Sequence, residues 1–197
     1  MTTHADSPAP RGLLDAGVLA RGDAEALAKR ILGFSHADAM RVSISSRARG
    51  NTRFAVNQIS TAGDTEDLSI VVRAVVGRKV GTATTNRLDD EALRRVVETA
   101  ERIAKLQPDD PELLPELGPQ SYLPVDAWDD ATASADPAAR ADMARAVTEQ
   151  ARRAGLVATG YIEVDAGAQA IATSAGLFAY HRATDMAMTT TVRTADG

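Results

Sequence analysis

Leu68–Asn86 reads LSIVVRAVVGRKVGTATTN, and the choice of fold turns on it. Ile70, Val71 and Val72 are apolar in succession, so the run predicts a strand covered on both faces and central in its sheet. Gly77, Arg78 and Lys79 turn the chain, and KVGTATT (79–85) returns as an antiparallel partner. Upstream the period is also two. MRVSISS (40–46) places Val42 and Ile44 on one face, and ARGN (48–51) reads as a turn. RFAVNQIS (53–60) is a second strand with Phe54 and Val56 on one face, and AGDTED (62–67) reads as a polar loop. The expectation is a meander of four antiparallel strands.

Helices flank this meander. Before it, Asp23–Leu32 carries Ala24, Leu27, Ala28, Ile31 and Leu32 on one helical face, with Asp23 as the expected cap and Gly33 as the stop. After it, LDDEALRRVVETAERIAKLQP (88–108) sets Leu93, Val96, Val97, Ala100, Ile103 and Ala104 in one stripe. Asp89 or Asp90 caps that helix, and Pro108 follows its end. A connector rich in Pro and Asp comes next, with Leu113, Leu114, Tyr122 and Trp128 as its expected apolar pins. A third helix starts at Asp136-Pro137 and runs to Arg153, with Gly155 and Leu156 as its closing pair. LVATGYIEVDAG (156–167), AQAIATSAG (168–176), LFAYHRATD (177–185) and MAMTTTVRTADG (186–197) then read as four further strands.

The fold class expected is therefore α+β, made of two degenerate helix-plus-antiparallel-meander units with sheets packed against helices. Residues 1–18 read as a flexible tail, 19–107 as the first unit, 108–135 as the connector and 136–197 as the second unit. The halves repeat weakly. Leu68–Gly77 lies on Met188–Gly197 without a gap, matching Val72 to Val192, Arg73 to Arg193 and Gly77 to Gly197. In the first half a returning strand and a helix follow; in the second neither does. The last strand is thus expected to be an unpartnered edge, and the chain to be the N-terminal part of a longer protein. The other reading is a natural end at Gly197.

Composition narrows the function classes. The 197 residues are 44% hydrophobic and 25% charged, as in an ordinary soluble domain. The net charge of −5 argues against nucleic acid or an anionic membrane as the main partner, because those surfaces need clustered Lys and Arg. There is no Cys, so disulfides and thiolate metal sites are excluded and a cytoplasmic location is expected. No apolar run approaches the roughly 20 residues of a membrane span.

Chemistry is sparse. The three histidines are His4, His36 and His181, and no His-x-x-x-His spacing presents two of them on one helix. His181 and Asp185 sit close enough in sequence for an acid–base pair, but no nucleophile accompanies them. Asp64–Asp67, Asp89-Asp90 and Asp129-Asp130 read as caps or solvated loops, since none follows a calcium-loop pattern. No Gly-rich phosphate loop occurs. No catalytic, cofactor-binding or metal residue is assigned. Exposed positions near sheet edges that could touch a partner are Asn57, Arg73, Thr191 and Arg193, although turn and cross-strand roles compete for each. Sheet edges of this kind suit extended peptides, which bind by strand addition.

RFAVNQISTAGDTEDLSIVVRAVVGRKVGTATTNRLDDEALRRVVETAERIAKLQPDDPEL (53–113) resembles the N-terminal region of the TldD/PmbA family, whose members are also known as TldE and as modulators of DNA gyrase. The pattern is Asn57 before a polar stretch, a long strand carrying Arg73, a turn at Gly77, a second glycine at Gly81, and an Ala-rich helix ending in AERIAKLQPDDPEL. The likeness extends more loosely past Tyr122. It implies a subunit of a cytoplasmic zinc metallopeptidase that takes extended or unfolded peptides and dimerises with a related subunit. The family's zinc motif, His-Glu-x-x-x-His with a later Cys, matches nothing here. The resemblance therefore implies a non-catalytic domain used for substrate guidance and dimer assembly, with zinc only in a later region of a catalytic subunit. The alternative is a free-standing, non-enzymatic peptide-binding or assembly module.

Overall fold

A computed structural model of the chain describes residues 14, 15 and 17–196. The short strands β1 (Leu14–Asp15) and β2 (Val18–Leu19) pair antiparallel, so part of the expected tail is structured. Residues 1–13, Ala16 and Gly197 lie outside the described residues. The remaining elements are α1 (Arg21–Leu32), β3 (Ala39–Ala55), β4 (Gln58–Val76), β5 (Lys79–Thr85), α2 (Asp90–Leu106), α3 (Asp130–Ala133), α4 (Pro137–Arg153), β6 (Val157–Thr173) and β7 (Phe178–Arg193). The large strands form one antiparallel sheet in the order β5-β4-β3-β6-β7. The fold is α+β.

The strands are fewer and longer than expected. ARGN is not a turn and AGDTED is not a loop: both lie inside the long strands β3 and β4. Likewise the four strands expected after Gly155 are two, β6 and β7. The real turn between β3 and β4 is Val56-Asn57, where both residues have positive φ, 50° and 59°. Two successive left-handed residues match the twist of a tight hairpin. The Asn57 amide holds that turn. Its Nδ2 donates to the Leu156 carbonyl and its Oδ1 accepts from the Ala158 N–H, each at 2.8 Å. Asn57 is therefore a buried structural residue rather than a contact residue.

Both halves do place a helix before a long hairpin: α1 before β3–β4, α4 before β6–β7. The aligned strands differ in surroundings. β4 lies between two neighbours, whereas β7 is an edge. Accordingly Val72 is fully buried and Val192 is 46% exposed.

Compactness divides the chain into two units that interleave in sequence. Among the described residues, one comprises those up to 46 with 67–124 and 168–181; the other comprises 47–66, 125–167 and 182–196. The long strands pass from one to the other. In the first unit, alternate strand positions Met40, Val42, Ile44, Ile70, Val72 and Ala74 form one buried face. Leu27, Ile31, Leu93, Val96, Val97 and Ala100 of α1 and α2 cover that face. Val71, on the opposite face, is only half-buried, so the strand is less enclosed than its apolar run suggested. Glu101 lies beside the α2 stripe and is buried because its carboxylate accepts from the His36 N–H at 2.7 Å and the Ser35 hydroxyl at 3.2 Å. In the second unit Phe54 and Ile162 pack with Ala144, Ala151 and Ala158.

Capping follows the local sequence where an acid is placed to reach the first turn. Asp89 accepts from Ala92 N–H at 2.9 Å and Asp136 from Ala139 N–H at 2.8 Å. At α4 the chain exits through Gly155 at φ 70°, and Leu156 N–H reaches back to the Ala151 carbonyl at 2.9 Å. At α1 the expected cap is displaced. Ala20 precedes the helix without a side-chain bond, Asp23 lies in the first turn, and Gly33 keeps a right-handed φ of −66°.

The Asp89 cap carries a pH signature. The hydrogen bond from Ala92 N–H holds its carboxyl below the ordinary 3.8; burial opposes it, and the hydrogen bond and charge of Arg87 add to the lowering. A lowered folded value stabilises fully above the unfolded one and is lost as pH falls through the folded one. Melting followed by circular dichroism between about pH 6 and 2 is expected to show a steeper acid fall for the native chain than for Asp89→Asn. Parallel curves would remove this role.

Candidate functional site

The face of the sheet opposite the helices in the first unit holds a cavity of about 660 Å³. Its floor comes from positions that alternate with the buried ones: Arg73 on β4, Arg41 on β3, Ile171 and Thr173 on β6, and Ala179 on β7. Its wall is the connector between Asp110 and Tyr122. The sequence makes this segment irregular, since Pro111, Pro115, Pro119 and Pro124 interrupt any helix or ladder.

Polar contacts pin the connector. Arg78 Nη2 donates to the Asp110 carbonyl at 2.9 Å and the Pro111 carbonyl at 2.6 Å, while Asp110 N–H returns to the Arg78 carbonyl at 2.8 Å. Arg73 pairs with Glu116, whose side chain is only 8% exposed. Thr173 Oγ1 donates to the Leu117 carbonyl at 2.8 Å. The apolar residues expected to act as pins behave otherwise. Leu113 is half-buried, but Leu114 is 79% and Tyr122 54% exposed. Trp128 belongs to the second unit, where the Arg182 guanidinium stands 4.4 Å from its ring centroid.

A charged network occupies strand positions of the second unit. Arg49 pairs with Asp165 at 3.0 Å and Glu163 at 3.6 Å, and Arg47 with Asp165 at 3.2 Å. Tyr161 donates to Glu163 at 2.7 Å, with Arg53 4.8 Å from its ring centroid. That hydrogen bond, then burial, raises the Tyr161 hydroxyl above its ordinary value and keeps it protonated. These groups satisfy one another and present no poised base.

The sequence candidates are scattered. Arg73 lines the cavity, whereas Thr191 and Arg193 lie exposed on the edge strand β7. His36 and His181 are exposed, and His4 lies outside the described residues. Among the described residues no group of three or more His, Cys, Asp or Glu is placed to hold a metal ion. No helix among them is long and apolar enough to cross a membrane. Sequence reasoning missed Arg41 and Glu116; the period-two pattern puts Arg41 opposite Met40 and Val42, but nothing local brings the connector over it.

Residues 41–104 match the family model described as PmbA/TldA metallopeptidase domain 1. No curated protein matches the chain. Among solved structures it is similar to TldE from Thermococcus kodakarensis, with a TM-score of 0.72 and 16% identity over 86% of this chain and 42% of that one. It is also similar to two proteins described as modulators of DNA gyrase. That from Bacteroides thetaiotaomicron has a TM-score of 0.72 and 16% identity over 84% of this chain and 40% of that one. That from Thermotoga maritima has a TM-score of 0.71 and 13% identity over 87% of this chain and 44% of that one. The chain thus spans less than half the length of each, and the likeness at this identity is one of fold.

Proposed function

We propose, from the identity of residues 41–104 as the first domain of the PmbA/TldD family, that this chain serves a metallopeptidase subunit without itself carrying the metal. In this reading the domain guides extended or unfolded peptide and contributes to a dimer with a related subunit in the cytoplasm. Zinc and the hydrolytic residues belong to a later region of a catalytic subunit. The observation that carries the reading is the open cavity beside the connector. Most of its lining is apolar, and Arg41 on its floor falls within the family segment. Apolar clefts with a few fixed polar groups are the usual form of a ligand site.

The purified chain with added zinc is expected to leave unfolded casein intact while binding it in a fluorescence anisotropy titration. Zinc-dependent cleavage by this chain would overturn the reading, as would failure to bind. The free-standing binding module is a second reading, favoured by the chain's own buried clusters in both units. An immunoblot of the source cells separates the two: a species longer than this chain favours the peptidase subunit, and one of this length favours the module.

A further inference from the structure

We propose that the cavity of the first unit binds the C-terminal carboxylate of an extended peptide whose last residues are apolar. Arg41 would receive the carboxylate. This deepens the peptide-handling function proposed above and rests on it.

Two cations stand on the floor, and they differ. Arg73 is already neutralised by the nearly buried Glu116. Arg41 is exposed and makes no ion pair or hydrogen bond among the described residues. An unpaired guanidinium beside apolar walls is matched by a carboxylate, which can take two parallel N–H bonds from the planar fork. Leu113, Leu117, Tyr122, Ile171 and Leu177 line the same space. Leu117, Tyr122 and Ile171 remain 63%, 54% and 42% exposed, so apolar surface is left for a ligand to cover. A volume of about 660 Å³ lies within the roughly 300–1,000 Å³ range of small-ligand sites.

The connector supplies a third match. Between Leu114 and Asp126 none of its N–H groups makes a backbone–backbone hydrogen bond among the described residues. The carbonyls of Leu117, Gly118 and Pro119 already accept from Thr173 and Gln120 side chains, and the N–H groups of the non-proline residues are the part left for an extended chain laid beside it, as in strand addition. Two acids bear on the charge balance. Asp110 turns Oδ1 to the Glu112 N–H at 2.9 Å, within its own loop. Glu112 is exposed and makes no ion pair among the described residues. It opposes an incoming carboxylate.

The test uses N-acetyl-Ala-Val-Leu as the free acid and as the C-terminal amide, titrated calorimetrically into the native chain at low salt. The acid is expected to bind about tenfold or more tightly than the amide, the worth of a charge-assisted pair. Arg41→Ala is expected to abolish that preference and Arg41→Lys to restore part of it. Glu112→Gln is expected to tighten the acid. Because Arg41 is exposed and unpaired, the melting temperature of Arg41→Ala should match the native chain. Equal binding of acid and amide, with both lost in Leu117→Asp, would overturn the carboxylate assignment and leave peptide handling standing. Binding of neither would overturn both. Weaker acid binding in Glu112→Gln would mark an amine site instead, and decanoate binding more tightly than the peptide acid would mark an acyl-chain site. Either result sinks the proposal.

Discussion

Phe54→Ala is expected to cost roughly 3–5 kcal/mol of stability, the usual range for deleting a buried aromatic ring. Phe54 is 1% exposed and is the largest side chain in the buried cluster of the second unit. Its buried neighbours there are Ala144, Ala151, Ala158 and Ile162. Those alanines have no side-chain length with which to refill the space, which leaves only the partly buried Met143, Val147 and Leu156 at the margin of the cluster to lean into it. The ring also lies where a side chain at 160 would stand, since a Cβ there would be 2.4 Å from its Cζ. Among the described residues the second unit has five clustered buried residues, against seventeen in the first unit, so the loss should be local. Urea unfolding should report the lost stability, and amide exchange should rise first in α4 and the adjoining part of β6. A loss below about 1 kcal/mol, no more than a methyl deletion such as Ile162→Val, would mean that the ring does not organise this unit.

Gly81→Val is expected to exceed the ordinary 1–3 kcal/mol of an overpacked core, at about 3 kcal/mol or more. A Cβ at 81 would lie 2.1 Å from the Ala100 carbonyl oxygen and 2.3 Å from the Ala104 nitrogen. Both are backbone atoms of α2, so no rotamer change relieves the clash and the helix must move off β5. Moving it uncovers Leu93, Val96 and Val97, each 5% exposed or less. Gly63→Ala is the control, because a Cβ there meets only the Asn51 amide at 3.7 Å. Thermal melts should separate the two variants by many degrees. Equal melting temperatures would show that α2 does not rest on the glycine.

Much of the helical structure was legible in the residues. α2 was readable because Leu93, Val96, Val97, Ala100 and Ala104 recur at helical spacing, and Asp89 stands where a carboxylate reaches the Ala92 N–H. α4 was readable from Asp136-Pro137 at one end and Gly155-Leu156 at the other. The long strands were not. ARGN and AGDTED have the composition of turns, yet Gly50 and Thr52 continue the buried alternation that ends at Phe54. That alternation becomes apparent only once residues from α4 and β6 cover it. Asn57 looked like a surface residue because its partners, Leu156 and Ala158, lie about a hundred positions later.

The cavity was legible in fewer of its parts. Arg73 reads in sequence as an exposed position near a sheet edge, but it lies on β4 between two neighbouring strands, and its partner Glu116 sits in an irregular segment without periodicity. The connector looked apolar-pinned because Leu and Tyr recur in it; charge pairing and carbonyl contacts hold it instead, which leaves Leu114 and Tyr122 facing water.

By itself, then, the sequence determined what depends on neighbours within a turn or two: helix stripes, carboxylate caps, the glycine exit of α4, the α+β class and the family segment. Those features rest on interactions that close within about four residues, where residue type alone sets the energy. The tertiary structure decided the strand lengths, the joining of the long strands in one five-stranded sheet, the edge position of β7 and the cavity over Arg41. Each of these joins residues far apart in the chain, and their energy comes from burial and pairing that exist only after both partners are in place.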